Sequence, residues 1–115
     1  MKKLVIIFLF VLNFSNLSAK PSYFNEGLMF YEQKKFDEAK FKFEQDIVFN
    51  PKNERSYLYL SKIFKEQKKI ELEEKNLSTV ILLDPKNEEA IYNLATLKLA
   101  KSDFLESEKL INQLL

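Results

Sequence analysis

The tetrapeptide Pro-Lys-Asn-Glu occurs at Pro51 to Glu54 and again at Pro85 to Glu88, and the segments around it align without a gap, Asn50 to Phe64 on Asp84 to Lys98. The offset is 34 residues. A unit of that period is too short to bury its own apolar face and must stack on its neighbours, so the repeat dictates a one-dimensional array of packed copies. Projected back by one period, the first copy begins at Lys20, giving copies over 20–53, 54–87 and 88–115. Gly27, Ser61 and Ala95 fall at the same place in each copy and are all small, as a close helix crossing demands.

The repeating unit is helical. One glycine and three prolines in 115 residues supply too few turn residues for an all-β chain. Apolar residues at helical spacing predict six helices, at about 22–33, 36–49, 54–67, 71–83, 88–100 and 103–114. Asn53 and Asn87 stand at N-cap positions next to acidic residues, and Asp103 with Glu106 has the spacing of a capping box. Pro51 and Pro85 end the helices before them. Lys34, Lys35, Lys68 and Lys69 fall between the helices of a pair, as charged, solvent-facing turns.

On these residues the chain resembles the tetratricopeptide repeat (TPR) family, in which each repeat is a hairpin of two antiparallel helices. The first repeat carries the pattern best, with Tyr23, Gly27, Phe30, Phe36, Ala39, Phe43 and Pro51. The second has Tyr57, Ser61, Phe64, Ile70, Leu77 and Pro85, but Glu73 in place of the family's alanine. The third has Ile91, Ala95, Phe104 and Ile111, with Lys98 for the aromatic and Ser107 for the alanine. The resemblance implies an all-α fold, an α-solenoid of about three hairpins.

Ahead of the repeats, residues 1–19 combine Lys2 and Lys3, an apolar run from Leu4 to Leu12 and a polar stretch ending at Ala19. Those are the parts of a secretory signal peptide, with cleavage expected after Ala19 although Leu17 is large for its place. The apolar run is shorter than the ~20 residues a membrane-spanning helix needs. Should the leader stay uncleaved, it is the only expected membrane attachment, and its lysines would hold it with the repeats outside. The repeat domain is therefore expected to be exported, to the periplasm or cell envelope or beyond.

The chain contains no His and no Cys. It thus lacks an imidazole base, a thiol nucleophile and the usual zinc ligands, and a single glycine cannot make a phosphate-binding loop. The adjacent acids Asp37 and Glu38, Glu73 and Glu74, and Glu88 and Glu89 point about 100° apart on a helix and do not converge; they read as solvated faces and helix starts. No catalytic residue, metal site or cofactor is expected. There are 18 basic and 17 acidic residues, and without Lys2 and Lys3 the balance is 16 against 17, which gives no positive field for nucleic acid.

Protein is the expected partner. The resemblance implies a concave groove lined by the first helix of each repeat, which here supplies Phe24, Leu28 and Tyr31, then Arg55, Tyr59, Lys62 and Lys65, then Tyr92, Asn93, Thr96 and Leu99. Such a mixture of tyrosine and basic residues suits a peptide or a partner's helix. The family's clamp for a terminal carboxylate is not reproduced, because the corresponding places hold Phe24, Leu28, Tyr59, Glu89 and Asn93. A second expectation concerns the last hairpin, where Leu110, Ile111, Leu114 and Leu115 form an apolar stripe. This stripe would let the protein associate with itself or dock as a structural subunit of a larger envelope complex.

Overall fold

The computed structural model describes residues 22–115. The leader, with its expected cleavage point, lies outside the described residues. Six helices follow one another: α1 Tyr23–Glu32, α2 Phe36–Phe49, α3 Glu54–Glu66, α4 Ile70–Leu83, α5 Glu88–Ala100 and α6 Phe104–Leu114. Each packs on the next, more extensively within the pairs α1/α2, α3/α4 and α5/α6 than between them. Among the described residues there is no strand, and the architecture is the expected α-solenoid of three hairpins.

Within each hairpin the turn repeats bond for bond. At the first, the Lys35 N–H donates to Phe30 O and the Lys34 N–H to Tyr31 O, both at 2.9 Å. Lys69 and Lys68 donate in the same way to Phe64 and Lys65, and Asp103 and Ser102 to Lys98 and Leu99. This is the Schellman closure of a helix, which requires one residue in the left-handed region. That residue is Lys34, Lys68 and Ser102, with φ of 59°, 56° and 62°. Glycine would take this conformation without strain, so each hairpin closes at some conformational cost.

Capping divides the helix starts. Ser22 Oγ accepts from the Asn25 N–H, Asn87 Oδ1 from the Ala90 N–H at 2.9 Å and Asp103 Oδ1 from the Glu106 N–H. Asn53, expected to cap α3, makes no side-chain cap bond. Its amide instead donates to Asp46 Oδ2 at 2.7 Å, in a buried cluster where Ser56 Oγ donates to the same oxygen and Asn50 Nδ2 to Oδ1.

Two cores run along the stack. The first joins Phe24, Ala39, Phe43, Leu60, Ile63 and Phe64 and is largely aromatic. The second joins Leu58, Leu77, Val80, Ala90, Ile91, Leu94, Ala95 and Leu110 and is aliphatic. Gly27, Ser61 and Ala95 are all buried. At Gly27 the requirement is steric, since a Cβ there would sit 2.7 Å from the Phe43 ring. Ser61 returns its hydroxyl to Leu58 O, so its buried polar atom is satisfied within its own helix.

The apolar stripe expected at the last hairpin is partly consumed by packing. Leu110 is buried in the second core and Leu114 packs against it, because the helical period turns both inward toward α5. Ile111 and Leu115 remain exposed, joined by Phe104 and Leu105.

Candidate functional site: the face of the first helices

The first helices α1, α3 and α5 lie side by side, and the expected groove residues are where they meet. Tyr59 on α3 stands edge-on to Tyr31 and Phe24 of α1, with ring centroids 5.1 and 6.0 Å away, and stacks on Phe43 of α2 at 5.3 Å. Arg55 lies over the Phe24 ring at 4.5 Å and Lys62 over the Tyr59 ring at 4.8 Å. Lys62 also pairs with Glu89 at 2.7 Å, linking α3 to α5. Burial raises the pKa of the Tyr31 hydroxyl, against the opposing charge of Lys62.

Availability differs along this face. Phe24 is only 7% exposed, sealed beneath Arg55, and is core rather than lining. Leu28, Tyr31 and Tyr59 are half-buried and pack against the aromatic core. Free surface lies on the second and third hairpins: Arg55 and Lys65 are open on α3, and Tyr92, at 63% exposed, Thr96 and Leu99 on α5. Thr96 donates its hydroxyl to Tyr92 O at 2.9 Å.

A cleft of about 230 Å³ opens on this face between α3, α4 and α5, lined by Lys65, Ile70, Glu73, Asn93, Thr96, Leu97, Ala100 and Lys101. It gathers three of the expected residues, Lys65, Asn93 and Thr96, around one that sequence reading assigned to a solvated helix face. Glu73 is 9% exposed. Desolvation raises its carboxyl pKa, offset only in part by the charge of Lys65. Its helical neighbour Glu74 has the opposite surroundings: hydrogen bonds from Lys101, at 2.6 Å, and from Lys98 hold its carboxyl below the ordinary range. Neither acid is a solvated bystander. The available signal was the register, since Glu73 stands where the first and third repeats have the small, buried Ala39 and Ser107.

No protein-family model matches the sequence, and neither does any curated protein. Solved structures do match. The first TPR of Spaghetti (RPAP3) bound to HSP90 peptide SRMEEVD superposes with a TM-score of 0.72 at 18% identity, over 79% of this chain and 72% of that one. The second TPR of the same protein, bound to the same peptide, gives 0.73 at 20% identity, over 80% and 85%. A chain of the CopN-Scc3 complex gives 0.71 at 16% identity, over 79% of this chain and 54% of that one, so the match spans about half of its length. With six helices closed by three equivalent turns and these neighbours, the chain has the fold of tetratricopeptide repeat domains.

Proposed function

We propose that the protein is an exported adaptor that holds a peptide or helix of a partner protein on the face of α1, α3 and α5, without catalysis. The observation that carries this reading is the continuity of that face: residues from three successive hairpins touch across it, and it ends in exposed Tyr92 and Leu99 beside a cleft. An exposed tyrosine contributes area while keeping a polar tip, which suits a binding surface more than a core. Two of the solved neighbours are TPR domains bound to an HSP90 peptide, which supports a protein ligand for the same fold.

Affinity capture from the native envelope with the tagged full-length protein tests this. Tyr92→Ala is expected to lower capture while leaving the helical circular dichroism intact, and undiminished capture would discard the face. Tyr59→Ala is unsuitable for this purpose, since Tyr59 touches three aromatic rings and its removal opens a cavity in the first core. Export and an envelope location are part of the proposal and rest on the leader pattern. Fusing residues 1–19 to alkaline phosphatase, active only after export, checks them; an inactive fusion refutes export.

A structural-subunit reading is favoured by one register observation. Phe43 and Leu77 are buried, Ile47 and Ile81 pack against the cores, and the equivalents in the last hairpin, Ile111 and Leu115, are exposed. Ile111 is thus open on α6 at a position that is buried in the first two hairpins. Light scattering after size exclusion should then give a defined oligomer that Ile111→Lys with Leu115→Lys abolishes, whereas a monomer supports the adaptor alone.

A further inference from the structure

The cleft between α3, α4 and α5 contains a carboxylate that the protein itself leaves without a partner. Glu73 is 9% exposed as a residue, its carboxylate oxygens reach the solvent of the cleft, and among the described residues no side chain makes a hydrogen bond or ion pair with it. At the same register, Ala39 has nothing to satisfy and Ser107 donates its hydroxyl to Ala95 O at 2.9 Å, so the third hairpin answers its polar atom internally and the second does not. The two nearby lysines do not close the gap. Lys101 is committed to Glu74 and Glu71, and Lys65 is an exposed side chain beyond ion-pair distance.

We propose that this cleft receives a basic side chain, lysine or arginine, from the bound partner, with its cationic head on the Glu73 carboxylate. Ile70, Leu97 and Ala100 give the cleft apolar walls for the aliphatic stem, while Asn93 and Thr96 stand as polar groups in the lining. A long amphipathic side chain has just this division between stem and head. The volume of about 230 Å³ is below the ~300–1,000 Å³ usual for whole small-molecule ligands and suits one inserted side chain. Partial desolvation already disfavours the unpaired Glu73 carboxylate, and a charge-assisted bond to an ammonium or guanidinium offsets that cost. The inference rests on the groove reading above and adds to it the chemistry of the ligand.

The test is selection of random dodecapeptides displayed on phage against the full-length protein, followed by affinity measurement on the selected peptides. Lysine or arginine should be enriched. Replacing the basic residue with norleucine or citrulline, which remove the charge and keep the stem, should weaken binding about tenfold or more in the wild type. In Glu73→Gln and in Glu73→Ala, which copies Ala39, the basic peptide and its neutral counterpart should bind alike, and circular dichroism should confirm that both variants are folded. Peptides that bind in a Tyr92-dependent way without basic enrichment, or a preference that survives in both Glu73 variants, would overturn the basic-side-chain assignment and leave the groove standing. Failure to select any peptide would overturn both.

Discussion

At the junction between the first and second hairpins, Asp46 lies buried at the end of α2 and accepts hydrogen bonds from Asn50, Asn53 and Ser56. One period later the same places hold Asp84, Asn87 and Ala90 around Val80, which is fully buried among apolar neighbours. Asn87, free of any acid, returns to its ordinary work and caps α5. Both junctions bury the site almost completely, and they connect equivalent helices, α2 to α3 and α4 to α5, in the same register. The backbone plan therefore tolerates either chemistry, provided that every member of the set agrees: an acid needs its three donors, and valine needs an alanine where the serine was. The tolerance belongs to the set and not to any one position.

Mixing the two solutions should expose this. Val80→Asp places a carboxylate opposite Ala90, which has no hydroxyl to give, and is expected to cost about 3 kcal/mol or more by urea denaturation. Adding Ala90→Ser should recover a substantial part of that loss; a double variant no more stable than the single one would mean that the junctions are not interchangeable. In the reverse direction, Asp46→Val strands Ser56 and Asn53 and should cost about 2–3 kcal/mol, while Asp46→Val with Ser56→Ala, a copy of the second junction, should lie close to the wild type.

A steric contrast accompanies the polar one. Gly27 faces the Phe43 ring, whereas Ser61 and Ala95 sit in hairpins whose equivalent of Phe43 is Leu77 or Ile111. Gly27→Ala is expected to lose about 1–3 kcal/mol through overpacking, read as a fall in Tm, and Phe43→Leu in the same chain should restore part of it.

The Glu73 and Glu74 pair sharpens the comparison electrostatically. A carboxyl whose pKa is raised on folding favours the native state in acid and works against it as pH rises through the raised value. Glu73→Gln should therefore stabilise the protein slightly at neutral pH, with the gain fading below the ordinary glutamate range. Glu74, with its pKa lowered, contributes stability that is present at neutral pH and is lost only as pH falls through that lowered value. Glu74→Gln should accordingly destabilise at neutral pH and cease to matter in strong acid; denaturation curves across pH separate the two. The smallest effect belongs to the turns. Lys68→Gly removes the left-handed penalty at φ 56° and should add about 0.5–1 kcal/mol by denaturant titration.

Much of the fold is legible without coordinates because a period is a global property that survives local substitution. The offset of 34, the small residues at 27, 61 and 95, and the prolines after α2 and α4 suffice for three hairpins, and α2 and α5 begin and end at the expected residues. The positions of the turns are legible in the chain but their geometry is not, since lysine and serine carry none of glycine's signal for a positive φ. Of the candidate face, the alignment of α1, α3 and α5 is what the resemblance to tetratricopeptide repeats implies, with the register saying only which residues stand at equivalent places.

Which side chains on that face are spent and which are free depended on distances between helices. Phe24 and Tyr59 carry the same aromatic signal as Tyr92, yet the first two are absorbed where α1 and α3 press together and the third is left open on α5. Glu73 and Glu74 are adjacent acids with one composition, and only the packing of α4 against α5 sends one into a cleft without a donor and brings two lysines to the other. Periodicity lies along the chain and is read there. Burial and pairing arise across it, where residues far apart in order come within reach, and a string of letters carries no record of that reach.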